Sequence, residues 1–137
     1  MNKFPAFCFL LFVFCFTLSS CKKDSFITTS DARLRLTADA LKYDTVFTTT
    51  GSITKSFKII NENDQKLRLS KVKLMGGAAS SYKMNVNGSA ATEVNDIEIA
   101  ANDSIYVFVS VTINPNAANL PFIVSDSILI SHNSNNR

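Results

Sequence analysis

One run of alternating residues constrains the fold of this chain more than any other feature. Apolar residues occupy every second position of SIYVFVSVTI, namely Ile105, Val107, Val109, Val111 and Ile113. Because the side chains of a strand point alternately to its two faces, these residues share one face. Tyr106 and Phe108 make the opposite face partly apolar, which is typical of a strand in the middle of a sheet. Asn114-Pro115 ends the run, since proline has no N–H to donate.

Shorter alternating runs on both sides predict further strands. SITKSFKII places Ile53, Phe57 and Ile59 on one face, and FIVSDSILI predicts a last strand or pair of strands. KLRLSKVKL changes parity halfway, which predicts a β-bulge near Ser70 or Lys71. SYKMNVNGS ends in Asn87-Gly88, two residues that tolerate the positive φ of a tight turn. This spacing of short strands and turns predicts an all-β fold, specifically an immunoglobulin-like β-sandwich.

The N-terminus has the organisation of an export signal. Lys3 is followed by an almost unbroken apolar run from Phe4 to Phe16, which is short for a bilayer span. The residues after it, Leu18-Ser19-Ser20-Cys21, resemble the bacterial lipoprotein signal. That resemblance implies a signal peptide helix over residues 1–20 and attachment of lipid to Cys21. An ordinary signal peptide or an uncleaved anchor is the alternative interpretation.

Cleavage before Cys21 leaves a chain of one-domain size. Removing 20 of the 137 residues leaves 117, and removing Lys3 leaves 13 Lys and Arg against 11 Asp and Glu. Cys8 and Cys15 leave with the signal, so the mature chain has no disulfide. We interpret residues 21–40 as the lipidated cysteine and a polar tether, and residues 41–137 as the sandwich domain.

The charges do not predict a nucleic-acid partner. The net charge of the mature chain is close to zero, whereas nucleic-acid-binding domains carry clusters of Lys and Arg on one face. The one basic cluster alternates with apolar residues, and its members are Lys66, Arg68, Lys71 and Lys73. We interpret it as the solvated face of strands, with a polyanion-binding strip as the alternative.

No catalytic or metal site is predicted, and no cofactor. His132 is the only histidine and is expected in an exposed tail. The carboxylates Glu93, Asp96 and Glu98 alternate with apolar residues, so a polar strand face explains them better than an acid and nucleophile pair. Residues 61–64, Asn-Glu-Asn-Asp, are interpreted as a plain turn, with calcium binding as the alternative.

A short pattern of Asp, then Ser or Thr, then an aliphatic residue occurs three times. It resembles an O-glycosylation sequon of exported bacterial proteins and implies Thr45, Ser104 and Ser127 as acceptors. The structural alternative is that Asp caps a turn and the aliphatic residue opens a strand.

Longer stretches resemble one protein family. YDTVFTTTGSITKSFKIINEND, LMGGAASSYKMNVNG, DSIYVFVSVTINP and DSILISHNSN are similar to the N-terminal domain of bacterial surface lipoproteins. That domain is of the abnormal-spindle and hydin immunoglobulin-like type and often precedes a parallel β-helix. In the relatives another strand follows the final SN, so we expect a truncated product whose edge at Ile128 to Ser131 is unpaired.

The resemblance implies architecture and location and no catalytic residue. We expect an outer-membrane lipoprotein, exposed at the cell surface or facing the periplasm, that spaces, displays or binds a protein or glycan partner. The alternative function is the N-terminal fragment of a β-helix lipoprotein that binds or acts on polysaccharide.

Overall fold

The computed structural model describes residues 25–45, 47, 51–113 and 123–137. Its nine strands are β1 (Leu34–Leu36), β2 (Lys55–Asn61), β3 (Leu67–Leu74), β4 (Tyr82–Val86), β5 (Ser89–Ala90), β6 (Glu93–Ile99), β7 (Ser104–Val111), β8 (Ile128–His132) and β9 (Asn135–Asn136). The described helical structure is one 3-10 turn at Gly77–Ala79. The predicted all-β class is confirmed.

The strands form two antiparallel sheets. One has five strands in the order β1-β2-β7-β4-β5, and the other has four in the order β6-β3-β8-β9. Their inner faces meet in one core, where Ile59 and Val107 from the first sheet and Leu69 from the second are fully buried. The arrangement is that of a β-sandwich, because each sheet hides one apolar face against the other.

The strongest sequence pattern is found where it was expected. β7 is the middle strand of the five-stranded sheet, and Val109 is buried in the core. The face that carries Tyr106 and Phe108 is exposed rather than covered. The prediction for Ile53 is wrong: this residue precedes β2 and is 74% exposed.

The predicted bulge and the predicted tight turn are also confirmed. The register of β3 against β8 shifts between Leu69 and Lys71, so Ser70 is the extra residue. Asp96 of β6 has φ +52 beside that shift. Asn87 and Gly88 have φ +48 and +93, and they join β4 to β5.

Most of the segment interpreted as a tether belongs to the sandwich. β1 pairs with β2, so residues 34–36 form the edge of the five-stranded sheet. The backbone of Lys66 exchanges hydrogen bonds with Ser25 and Ile27, with N···O distances of 3.1 and 2.9 Å. The domain therefore begins by residue 25, and the boundary predicted at residue 41 is too late.

The polar C-terminal residues fold back as a hairpin. Asn133 and Ser134 have φ +43 and +66, as a two-residue hairpin turn requires, and they join β8 to β9. Ile130 and Arg137 exchange both backbone hydrogen bonds, at 2.8 and 2.9 Å. The prediction of an unpaired edge is thus wrong from Ile130 to Ser131.

Side chains of this hairpin bind the N-terminal segment. Asn133 Nδ2 donates to the carbonyl oxygens of Ile27 and Thr29, at 3.1 and 3.0 Å. Arg137 Nη1 donates to the carbonyl of Leu34 at 3.1 Å. These bonds join the first and last described segments of the chain.

Candidate functional site

A groove opens between the two sheets beside the C-terminal end of β3. Its volume is about 1080 Å³. The floor is made of apolar residues from both sheets, including Phe57, Leu74, Val109, Val111 and Ile130. Its two walls are residues 38–45 and residues 123–128. An apolar cleft with polar groups at its rim is the usual form of a binding site.

Tyr43 fixes the first wall. Its hydroxyl donates to the carbonyl oxygen of Val109, and its ring packs edge-on against Tyr82 with centroids 5.9 Å apart. Lys55 lies 5.5 Å from the Tyr43 ring centroid and donates to the carbonyl of Lys42. Burial raises the pKa of the Tyr43 hydroxyl, so it remains a hydrogen-bond donor at neutral pH.

Asp126 fixes the second wall. Its carboxylate accepts hydrogen bonds from the backbone N–H groups of Gly76 and Ser127, at 2.9 and 2.7 Å, and from the Ser80 hydroxyl. Burial alone would raise the pKa of Asp126, but these hydrogen bonds outweigh burial and lower it. Tyr82 also donates to the carbonyl of Val124 at 3.0 Å.

The edge of β8 borders the groove. Hydrogen bonds of an antiparallel strand alternate between its two neighbours, so Ile128 presents its N–H and C=O on the same side as Ile130. Ile130 is paired there by Arg137, and among the described residues no strand pairs with Ile128 on that side. Within the described residues, the N–H and C=O of Ile128 thus have no strand partner on that side.

Two of the three carboxylates of β6, those of Glu93 and Glu98, pair with cations of β3. Glu93 lies 3.2 Å from both Lys71 Nζ and Lys73 Nζ, and Arg68 pairs with Glu98 at 3.2 Å. Hydrogen bonds from Lys71 and Lys73 lower the pKa of Glu93. This supports interpreting the acidic run and the basic cluster as two halves of one solvated sheet face.

The residues interpreted as a plain turn contain a buried amide pair. Asn61 is 0% exposed, and its Nδ2 donates to the carbonyls of Gln65, Ile99 and Ala100 at 2.8, 3.2 and 2.8 Å. Its Oδ1 accepts from Asn63 N and Nδ2, at 3.1 and 2.7 Å. Asn63 in turn bonds both backbone groups of Arg33. The amides of Asn61 and Asn63 bond to one another and to backbone groups of other segments. Because their oxygens already accept these hydrogen bonds, neither amide is arranged as a ligand for calcium.

His132 is not in an exposed tail. It is 4% exposed, because the N-terminal segment around Ala32 packs over the β8–β9 hairpin. Burial lowers the pKa of His132, against a hydrogen bond to the backbone of Ala32 that raises it. The repulsion of Arg137 lowers it further. His132 is therefore a neutral core residue at pH 7.

The three Asp-Ser/Thr sites share a local geometry. In each, the Asp carboxylate accepts the backbone N–H of the next residue, at 2.8 Å for Thr45 and 2.7 Å for Ser104 and Ser127. Thr45 and Ser127 are exposed, whereas Ser104 is half-buried as the first residue of β7. This geometry fits the capping interpretation; of the three residues predicted as O-glycosylation acceptors, Thr45 and Ser127 are the exposed ones.

Other expectations concern residues that lie outside the described ranges. Cys21 and the signal peptide at 1–20 are among them. In the described part of the chain, no helix is long and apolar enough to cross a bilayer. Nor do those residues contain a group of three or more His, Cys, Asp or Glu side chains placed to hold a metal ion.

Comparisons of the chain with family models, curated proteins and solved structures found no match. The groove itself was not predicted from the sequence. The sequence feature that could have pointed to the groove is the pair Gly76-Gly77 after β3. A side chain at Gly76 would clash with the groove wall, because its Cβ would lie 2.5 Å from Asp126 Oδ2. That partner is fifty residues away, so the pair alone does not identify the contact.

Proposed function

We propose that this chain is a lipid-anchored, noncatalytic binding module of immunoglobulin-like type. It is attached to the outer membrane through acylated Cys21, and its groove accepts an extended segment of a partner protein. The sequence at Leu18 to Cys21 supports the anchor, and the apolar groove between the sheets supports the binding role.

The order of strands supports the immunoglobulin-like assignment. The adjacency β1-β2-β7-β4 matches the ABED sheet of that fold, and β3-β8-β9 matches CFG. β6 lies beyond β3, at the place of strand C′. The chain order differs, because the β4–β5 hairpin precedes β6 instead of following it.

The observation that carries the binding role is the apolar floor of the groove, which runs beside β8 between the two sheets. An extended partner segment laid in the groove would run beside Ile128 and Ile130. Its alternate side chains would enter the groove over Leu74 and Val111. Main-chain hydrogen bonds supply affinity in such strand addition, and the pockets for alternate side chains supply selectivity.

A labelled heptapeptide of alternating valine and threonine tests this role by fluorescence anisotropy. The peptide should bind, and the same peptide with alternate backbone amides N-methylated should not, because it cannot complete the ladder. Ile123→Asp at the groove wall should weaken binding, whereas Ile53→Asp away from the groove should not; these residues are 85% and 74% exposed. Equal binding of both peptides would refute strand addition.

The anchor has its own test. Metabolic labelling with a clickable palmitate should tag the chain, and Cys21→Ala should abolish the tag and the membrane fractionation. A soluble, untagged wild-type chain would contradict the anchor. Protease shaving of intact cells distinguishes the leaflets, since a periplasm-facing domain is protected.

A further inference from the structure

The outer face of the five-stranded sheet carries two exposed aromatic rings. Tyr106 and Phe108 are 43% and 41% exposed, and they stack with centroids 5.6 Å apart and planes inclined by 17°. Lys58 Nζ lies 4.7 Å from the Tyr106 ring centroid. The Tyr106 ring thus contacts both Phe108 and Lys58, whereas the Phe108 ring stacks on Tyr106 with one of its two faces.

A shallow depression of about 470 Å³ lies on the other side of Phe108. Its wall contains Thr54, Lys83, Asn85 and Ser110. Asn85 uses Oδ1 to accept the N–H of Gly88 at 2.9 Å, which leaves its Nδ2 to donate. The depression therefore combines one aromatic face with hydroxyl, amide and ammonium groups.

Charge is distributed unevenly between the two sheets. The five strands of this sheet are all described, and none contains Asp or Glu. Arg35 is paired with Glu62, and Lys55 bonds the carbonyl of Lys42. That leaves Lys58 and Lys83 as the cations of this face, and no described carboxylate pairs with either.

We propose that this face binds an acidic polysaccharide, with a sugar ring stacked on Phe108 and its acid groups paired with Lys58 and Lys83. The apolar face of a pyranose covers an aromatic ring, and its hydroxyls pair with those of Thr54 and Ser110. Strand spacing and rise place the Cα atoms of the two lysines roughly 17 Å apart, so the site spans several sugar units.

A single-stranded nucleic acid is the competing ligand, since it also combines stacking with cations. Such grooves follow the backbone with a series of basic residues, and affinity grows with each phosphate neutralised. This face offers two lysines, and the depression that contains Lys83 also carries hydroxyl and amide groups that match sugar hydroxyls. The polysaccharide is therefore the better fit. The proposal is independent of the inter-sheet groove.

Calorimetric titration of the purified chain with polygalacturonate oligomers tests the proposal. The acidic oligomer should bind, its fully methyl-esterified form should bind at least about tenfold more weakly, and 0.5 M NaCl should weaken binding of the acidic form. Phe108→Ala should reduce affinity about tenfold or more, and Lys83→Gln several-fold. Thermal melts of each variant establish that it is folded.

Two matched variants serve as controls. Phe47→Ala removes another exposed aromatic ring, and Lys73→Gln removes a lysine of the opposite sheet. Neither should change the affinity. Failure of the acidic oligomer to bind at millimolar concentration, unchanged affinity in Phe108→Ala and Lys83→Gln, or tighter binding of a thymidine oligonucleotide would each overturn the proposal.

Discussion

Replacing Asn61 with alanine should remove much of the stability of the sandwich. The side chain is fully buried; the two N–H groups of its Nδ2 reach three carbonyl oxygens, and its Oδ1 accepts two hydrogen bonds. A net hydrogen bond contributes about 1 kcal/mol, and a buried group left without a partner costs about 1–3 kcal/mol. The carbonyl of Ala100 keeps a bond from Asp103, so the losses are not additive. We expect a loss of about 3–5 kcal/mol from a domain that typically has 5–15 kcal/mol.

Urea denaturation followed by far-UV circular dichroism measures this loss. Asn95→Ala is the matched control, since Asn95 is exposed and makes one 3.4 Å bond to Glu93. It should change the free energy of unfolding by less than about 0.5 kcal/mol. Asn61→Asp keeps the shape but turns a carboxylate toward three carbonyl oxygens, so it should destabilise most at neutral pH. A loss below about 1 kcal/mol in Asn61→Ala would refute the claim that the amide pair holds these strands together.

Three further predictions concern separate parts of the fold. Gly76→Ala should cost about 1–3 kcal/mol in urea denaturation, because its Cβ would lie 2.5 Å from Asp126 Oδ2; unchanged stability would disprove that contact. Burial lowers the pKa of His132 in the folded state below its unfolded value of about 6.5, because the folded domain favours the neutral imidazole. The stability of the domain should therefore be full above about pH 6.5 and should fall as the pH drops through the folded-state pKa. Melts between pH 7.5 and 5 should show this loss, and His132→Gln should remove it. Val109→Asp should unfold the domain by burying an unpaired charge, whereas Lys83→Asp should change the melting temperature little; equal melts would contradict the assigned strand faces.

The sequence predicts the elements whose pattern is local. The alternation through Val109 indicates β7 and its inner face, the parity change near Ser70 indicates the bulge, and Asn87-Gly88 indicates the turn. Each depends on neighbouring residues alone, and in each the side-chain pattern agrees with the backbone conformation.

What the sequence does not predict depends on distant partners. Leu34–Leu36 is too short to give a periodic signal, and it becomes a strand because β2 offers an edge. His132 and Asn61 look solvent-exposed among polar neighbours. The segment around Ala32, one hundred residues earlier in the chain, covers His132. Asn61 is buried against β6, where its amide bonds to carbonyls near residue 100. Tertiary contacts satisfy the buried amide of Asn61, and a linear pattern does not carry that information.

Docking of the N-terminal segment has a geometric consequence for the proposed lipid anchor. With lipid at Cys21, the four Cα steps to Ser25 reach at most about 14 Å, so the sandwich stays close to the bilayer. Ser25 and Ile27 bond to Lys66, at the start of β3, whereas the groove opens beside Leu74 at its end. Eight residues of strand separate these points by about 27 Å. With the anchor proposed above, the membrane would lie at the Lys66 end of the domain and the groove at the opposite end.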